Sequence, residues 1–411
     1  MFRRTSRSLI LVAFVASLGA GTAESQETWP DPGWTQITDL EGAGWSPDGL
    51  AEARSLADSL GTAAYLVVED GRIVDSYGDV TYRYRTHSVR KSLLSALYGV
   101  AAGQGPLPLD ATLAELGIDD YAELSDSEHR ATLRHLLQSR SGVYLPAAYE
   151  NEAYDEVRPA RGSHGTGDHW FYSNWDFNAA GTAYQLVTGN DIFTAFRDEL
   201  ADPLEMDDYD LDDTEWRYET RSWHPAYLFR MSSRDLARLG LLYLREGRWK
   251  DRQIVPGEWV RRTTAPVSEA TYPDGRPLPG ACYGWMWWVP CPESPEAQAP
   301  FGAGMFEAVG TGEQVLSVLP AHELVFVHRT DTDLPSSEFR SVSHSEVESI
   351  LGRILEAKRA PIVGQWDSEP RVRHRDTPSA PDRPDSALVL PNPEGPYQVG
   401  TATRELLAER T

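Results

Sequence analysis

The sequence predicts an α+β fold in which an antiparallel sheet, flanked by helices, is built from strands near both ends of the chain. Two observations predict it: short β-like runs lie near both ends, and apolar patterns with helical spacing lie between them. A chain of 411 residues with 41% hydrophobic content has enough apolar material for a large core. We expect the middle of the chain to form a helical lobe, and a functional cleft to lie between this lobe and the sheet.

The first strands form a predicted hairpin. Ala63 to Val68 is typical of a strand, Asp70-Gly71 of a tight turn, and Arg72 to Tyr77 of the returning strand. Later β-like runs, separated by Gly, Pro and polar residues, are Tyr283 to Val289, Met305 to Val309, Gln314 to Leu319 and Leu324 to His328. Helical patterns occur at Ser88 to Ala102, around Leu133 to Leu137, and at Ala179 to Val187, Ser233 to Arg245 and Ser343 to Ala357.

Both termini differ in composition from this region. Residues 1–23 combine three early arginines, an apolar run from Leu9 to Leu18 and small residues ending at Ala23, which is typical of a secretory signal. The sequence therefore predicts export to the periplasm or the extracellular space, with no membrane anchor after cleavage. Residues 24–360 are the predicted folded domain, and residues 361–411 form a tail rich in Pro and Asp that lacks apolar periodicity.

The net charge of the chain limits the classes of molecule that it is expected to bind. A formal net charge of -24 makes nucleic acid and anionic lipid unfavourable partners, because such a surface repels phosphate groups. The two cysteines, Cys282 and Cys291, flank the run Tyr283 to Val289. If that run is one extended strand, its ends lie beyond bridging distance, so the sequence favours unpaired cysteines.

The first chemical signal is Ser88 followed three residues later by Lys91 at the start of an apolar helix. This spacing places a hydroxyl and an amine on one helix face, where the amine can act as base for the serine. A structural interpretation remains, a capping serine beside a surface lysine. The chain has only three lysines, however, and a chance Ser-x-x-Lys match is expected about 0.2 times. A chain that otherwise uses arginine, yet keeps lysine here, indicates a group that must lose its proton.

A second signal is Tyr172-Ser173-Asn174, which leads into the helical pattern at Ala179 to Val187. Tyr172 beside a lysine can serve as base or acid, and Asn174 can orient the lysine or bind a substrate carbonyl. Tyr149-Glu150-Asn151 fits the same pattern. We favour Tyr172 because it precedes a helix, whereas Tyr149 lies in an acidic segment.

A third signal is the glycine-rich segment between two β-like runs. Its glycines allow backbone to approach a substrate closely, and an open strand edge can supply an amide to an oxyanion hole. Taken alone, the segment is more typical of a hairpin turn. The candidate substrate-binding or oxyanion-binding residues here are Gly310, Thr311, Gly312, Glu313 and Gln314. No metal site and no cofactor are predicted, because His164 and His169 lack a convincing third ligand.

Together these segments resemble the serine β-lactamase-related hydrolases, which include class C β-lactamases, D-alanyl-D-alanine peptidases and esterases, and especially the 6-aminohexanoate-dimer hydrolase branch. The resemblance spans roughly Ala63 to Leu355. Beyond the three signals, it rests on Leu133 to Leu137 with Ser141-Gly142-Val143, the run Met231 to Gly240, and Tyr283-Gly284-Trp285.

The resemblance implies a β-lactamase-like fold and an acyl-enzyme on Ser88, with Lys91 and Tyr172 handling protons. The substrate that it implies is a small ester, an amide or a short peptide. The resemblance also implies an oxyanion hole formed by the backbone amides of Ser88 and Glu313. Where β-lactamases and peptidases of the family carry Lys-Thr-Gly or His-Thr-Gly, this chain has Gly310-Thr311-Gly312. A cation for a substrate carboxylate is therefore missing, which ranks amide or ester hydrolysis above penicillin turnover. A D-amino peptidase or β-lactamase, and a non-catalytic binding protein on the same fold, are the alternatives.

Overall fold

The computed structural model describes residues 27–358, apart from residues 32, 152, 273–274, 293–300 and 336. The predicted signal segment 1–23 and the predicted tail 361–411 lie outside the described residues.

The main sheet has eight antiparallel strands: β1 Ala64–Glu69, β2 Arg72–Gly78, β8 Ser268–Thr271, β9 Pro277–Tyr283, β10 Trp288–Pro290, β11 Phe306–Gly310, β12 Gln314–Leu319 and β13 Leu324–Arg329. Their order across the sheet is β2-β1-β13-β12-β11-β10-β9-β8. Strands from both ends of the chain therefore lie side by side, with Leu66 of β1 opposite Val327 of β13. The predicted α+β fold is confirmed.

Side chains of the sheet point alternately into two apolar cores, one on each face. On β1, Tyr65 and Val67 belong to one apolar cluster, and Leu66 and Val68 belong to the other. Side chains alternate across a strand, so each face needs its own cover. Helices α1 Pro47–Leu60 and α10 His344–Ala357 cover the first face, and α8 Ser233–Leu244 packs on the second.

The remaining helices form the lobe on the second face. The longest are α2 Arg90–Gln104 and α6 Asn174–Thr188, both largely buried. No helix within the described ranges is long and apolar enough to cross a membrane. The shorter helices are α3 Leu113–Leu116, α4 Leu133–Leu137, α5 Tyr154–Val157, α7 Ile192–Phe196 and α9 Gly257–Thr263; the minor strands are β3 Tyr84–Arg85, β4 Thr214–Glu219, β5 Ser222–Met231, β6 Arg248–Trp249 and β7 Arg252–Gln253.

The prediction of one strand from Tyr283 to Val289 is wrong, and so is the expectation of unpaired cysteines. The chain turns after Tyr283, and Met286 adopts a left-handed φ of 65° within the turn. The chain returns so that Val289 pairs with Cys282, and Cys291 bonds through its backbone to Gly280. The two cysteine Cα atoms lie 4.9 Å apart and the residues form a disulfide.

Replacing both Cys282 and Cys291 by serine is expected to lower the free energy of unfolding by about 2–3 kcal/mol. A cross-link over nine positions of sequence removes a modest amount of conformational entropy from the unfolded chain. Urea unfolding followed by tryptophan fluorescence measures the loss, and the wild type in reducing agent is the matched control. Equal unfolding midpoints with and without reductant would contradict this expectation.

Candidate active site

Ser88 lies in a tight turn that enters α2. A 3₁₀ turn over His87–Val89 precedes the helix, and His87 has a φ of 46°, in the left-handed region. Such a conformation is costly for a residue other than glycine and needs support from its surroundings. Both ring nitrogens of His87 are engaged: Nδ1 lies 2.9 Å from the hydroxyl of Tyr149, and Nε2 lies 2.8 Å from Oγ1 of Thr332.

The structure brings together the three residues predicted to carry chemistry. The Nζ atom of Lys91 donates hydrogen bonds to Oγ of Ser88, at 2.7 Å, and to the hydroxyl of Tyr172, at 2.9 Å. Lys91 is one turn after Ser88, as the spacing predicts, and Tyr172 reaches it from the segment before α6. A continuous hydrogen-bonded chain thus joins the serine, the amine and the phenol.

The surroundings of Lys91 favour the neutral form of its side-chain amine. Burial lowers the pKa of Lys91 well below its usual value, and the nearby Arg90 charge lowers it further, while Glu150 acts in the opposite direction. Burial raises the pKa of Tyr172 to about 12, against the effects of Ser88 and Arg90. At neutral pH, Lys91 is therefore the member of the pair more readily found without its proton, and Tyr172 keeps its own.

Tyr172 is fixed through the backbone on both sides of it. Oγ of Ser139 donates to the carbonyl of Phe171, at 2.6 Å, and accepts from the amide of Ser173, at 2.9 Å. The buried carboxyl of Asp176 accepts from the hydroxyl of Ser173 and from Ser141. The ring of Tyr172 stacks on Trp288, with centroids 5.6 Å apart. Tyr172 is therefore held in place in part by Ser139, a residue distant from it in sequence.

The competing triplet, Tyr149-Glu150-Asn151, lies beside the site in a different role. The hydroxyl of Tyr149 contacts His87 rather than Lys91. Glu150 pairs with Arg158, and its Oε1 accepts a long bond, 3.4 Å, from the amide of Asn174. Among the described residues, this is the bond that the Asn174 side chain makes, and the alternative role of Asn174, binding a substrate carbonyl, stays a prediction.

The glycine-rich segment forms a hairpin turn, with Gly310 of β11 opposite Gln314 of β12. Thr311 is exposed at this turn. Gly312, with a φ of 78°, packs against Thr330 and Thr332. Gln314 is fully buried, and its side-chain amide bonds to Thr330 and Arg329. The side chain of Gln314 therefore lies in the core, and the role of this residue in binding substrate or oxyanion stays a prediction.

Gly310 is a residue of this turn that lies against the nucleophile. A Cβ atom added to Gly310 would be 3.0 Å from the amide nitrogen of Ser88. Glu313 instead contacts two histidines, with its carbonyl 2.7 Å from Nδ1 of His328 and its carboxylate 3.0 Å from Nδ1 of His344. Among the described residues, β11 pairs with β10 at Glu307 and Trp288, and no strand of the described part of the chain pairs with this edge of β11 near Gly310.

Replacing Gly310 by alanine is expected to lower kcat/KM by on the order of 10²-fold, because a small displacement of a reacting group has an effect of this size. The new Cβ would lie 2.4 Å from the carbonyl oxygen of Thr86, and this backbone cannot rotate away without moving Ser88. Ester hydrolysis measures the effect. Gly105→Ala, at a glycine with nothing within 4 Å of the added atom, is the matched control. Equal activity of the two variants would refute the expected clash.

The comparisons with known proteins agree with this fold. The family model described as Beta-lactamase matches residues 50–344, which is most of the chain. The chain belongs to the Beta-lactamase family. This membership indicates a hydrolase and confirms the resemblance seen in the sequence.

Individual relatives of the family are distant. An uncharacterised protein of Alkalihalophilus pseudofirmus is 23% identical over 264 residues, covering 60% of this chain and 72% of that protein. Among solved structures, a Bacillus anthracis protein assigned as a 6-aminohexanoate-dimer hydrolase is similar with a TM-score of 0.55 and 18% identity, covering 80% of this chain and 88% of that one. A Mycobacterium bovis β-lactamase gives a TM-score of 0.52 and 18% identity, covering 74% and 99%. At these identities the likeness shows the fold.

Several residues around the site were not singled out from the sequence. Trp288 stacks on Tyr172, and Arg158 is mostly buried against Glu150. Neither His87 nor Arg90 was among the predicted site residues. The one available signal for Arg90 was a charged residue within an otherwise apolar helix.

Proposed function

We propose that this protein is a serine hydrolase that cleaves an amide or ester bond through an acyl-enzyme on Ser88. The observation that carries the proposal is the hydrogen-bonded chain from Ser88 through Lys91 to Tyr172, at 2.7 and 2.9 Å, with a lysine whose pKa is lowered by burial. A serine hydroxyl needs an adjacent base, and a neutral amine at hydrogen-bond distance meets that need.

In the proposed reaction, the Nζ atom of Lys91 takes the proton of Ser88 as Oγ attacks the substrate carbonyl. The oxyanion is stabilised by the amide of Ser88 and by an amide on the open edge of β11 at Gly310–Thr311. As the tetrahedral intermediate collapses, the Tyr172 hydroxyl gives its proton to the leaving amine or alcohol and regains one from Lys91. Water then attacks the acyl-enzyme by the same proton route in reverse, which releases the acid and restores Ser88.

The substrate class follows from what surrounds Ser88. Gly310 presents no side chain to a substrate, so the turn supplies no cation for a carboxylate at this place. Trp288 forms an aromatic wall beside Tyr172. These features support an uncharged ester or amide substrate over a penicillin or a D-alanyl-D-alanine peptide, each of which carries a carboxylate.

A fluorophosphonate probe tests the proposal. Intact-mass spectrometry of the purified protein should show one adduct that maps to Ser88, and Ser88→Ala should show none. Parallel assays with a short aryl ester, an amide, a cephalosporin and a D-alanyl-D-alanine peptide separate the substrate classes. A folded wild-type protein that takes no adduct and turns over none of these compounds would support the binding-protein alternative instead.

We also propose that the protein is exported. The predicted signal at residues 1–23 supports this, and the disulfide between Cys282 and Cys291 is of the kind that persists in oxidising compartments. Amino-terminal sequencing of the protein recovered from outside the cytoplasm tests it, with retention of Met1 as the contrary result.

A further inference from the structure

Arg90 is a buried cation that has no counter-charge among the described residues. It lies between Ser88 and Lys91 in sequence and is 1% exposed. Its Nη2 donates to Oδ1 of Asn178 at 2.8 Å, and its guanidinium carbon lies 4.4 Å from the ring centroid of Tyr227. Within the described part of the chain, Nη1 has no hydrogen-bond partner and no carboxylate forms a salt bridge with Arg90.

Such an arrangement is unfavourable for folding. A guanidinium remains charged inside proteins, and burying a charge without an opposite charge costs more than burying an apolar side chain of similar size. Contacts with a neutral amide and an aromatic ring offset only part of this unfavourable free energy. The charge therefore indicates a role other than stability, and the adjacent Lys91 is a group whose protonation it opposes.

We propose that Arg90 is a positioning residue whose uncompensated charge disfavours the ammonium form of Lys91 and so keeps this amine ready to accept the proton of Ser88. This inference rests on the proposed hydrolase function and adds to it the source of the lysine's basicity. Arg90 acts through Lys91 and makes no contact with the reacting atoms.

The charges around Lys91 are consistent with this role. After burial, Arg90 is the largest cause of the lowered pKa of Lys91, and Glu150 is the charge that opposes it. Arg90 also lowers the pKa of Tyr172, against the effect of burial. Burial keeps the other titratable groups near these two residues uncharged at neutral pH: the pKa of His87 is lowered to about 4, and those of Tyr154, Tyr227 and Tyr283 are raised.

Asn178 preserves the positive charge of Arg90. Its Nδ2 donates to the carbonyl of Ala148 at 2.9 Å, which orients Oδ1 towards Arg90. An aspartate of the same shape would present a carboxylate at this distance and cancel the charge. Asn178→Asp thus neutralises the effect of Arg90 while the arginine itself stays in place.

The test follows the rate of fluorophosphonate labelling of Ser88 as a function of pH in the purified full-length protein. Removing or cancelling the Arg90 charge raises the pKa of Lys91, so the amine becomes neutral only at higher pH. The acidic midpoint of the profile should therefore move upward by on the order of one pH unit in both Arg90→Met and Asn178→Asp. Arg238→Met is the matched control, because Arg238 is equally buried but packs against Trp34 and Trp249, away from the site.

The outcomes separate this inference from the proposed function. Labelling of both variants with the wild-type midpoint would overturn the role of Arg90, and so would an equal shift in Arg238→Met. Absence of labelling at Ser88 in the wild type at every pH would overturn the hydrolase itself. Thermal melting identifies a variant that fails to fold, and if Arg90→Met does so, the midpoint of Asn178→Asp decides.

Discussion

Exchange of Lys91 for methionine is expected to lower kcat by on the order of 10⁴-fold, about as far as Ser88→Ala does, because residues that act as one unit lose most of their effect together. Methionine fills the buried site of the lysine but offers no atom to accept the proton of Ser88. The Nζ atom that it removes is hydrogen-bonded to both Ser88 and Tyr172. Steady-state hydrolysis of an aryl ester, with the double variant included, measures the effect.

Two other replacements give this prediction its controls. Lys91→Arg keeps a positive charge but cannot give up its proton, so it should be as inactive as the methionine variant. Lys250 is partly exposed and pairs with Glu205, so Lys250→Met should keep wild-type activity. An active Lys91→Arg variant would show that the lysine is needed for its charge and that Ser88 has another base.

Much of the fold could be predicted because its elements carry local patterns. The hairpin of β1 and β2, the strands β12 and β13, and helices α2 and α8 appear within a few residues of their predicted bounds. Each combines apolar residues at one clear spacing with a turn or capping residue at its end. These signals act over a few residues, which is the range that one sequence reveals.

The aromatic run from Tyr283 to Val289 shows where such reasoning fails. Both a buried strand and a buried turn are apolar, so the composition of this run does not distinguish them. The turn depends on a contact with a distant segment: a Cβ atom added to Gly284 would lie 2.2 Å from the carbonyl oxygen of Thr263. The missed disulfide followed from the missed turn, because the geometry of an extended strand excluded a bridge that a hairpin permits.

The candidate site likewise combines a contact that local spacing predicts with contacts that depend on distant segments. The spacing of Ser88 and Lys91 lies within one helical turn, so a sequence pattern predicts their contact. The sequence favours Tyr172 over Tyr149 only because a helix follows Tyr172. The geometry gives a stronger reason: of the two tyrosine hydroxyls, that of Tyr172 bonds to Lys91 and that of Tyr149 contacts His87. The role of the Glu313 amide in an oxyanion hole stays a prediction, because the contacts described for Glu313 are those of its carbonyl and its carboxylate.

Exchange of Tyr172 for phenylalanine is expected to lower kcat by about 10²- to 10⁴-fold, the usual contribution of a positioned acid or base. The variant removes one oxygen and keeps the ring, so the stacking on Trp288 remains and stability should change by only about 1 kcal/mol. Lys91 would keep its bond to Ser88 but lose the route by which a proton reaches the leaving group. The loss should therefore be greater for amides, whose leaving group needs a proton, than for aryl esters.

Tyr149→Phe is the matched control, since Tyr149 occupies the same kind of triplet and its hydroxyl contacts His87 instead of Lys91. It should cost less than about tenfold in kcat, because it removes one neutral hydrogen bond beside the nucleophile turn. Comparing kcat for one amide and one aryl ester in both variants separates proton transfer from a general disturbance of the site. If Tyr149→Phe proved the more damaging variant, with the larger loss on the amide, the proton donor would be Tyr149 acting through His87, and the chain from Ser88 through Lys91 to Tyr172 would be a structural contact.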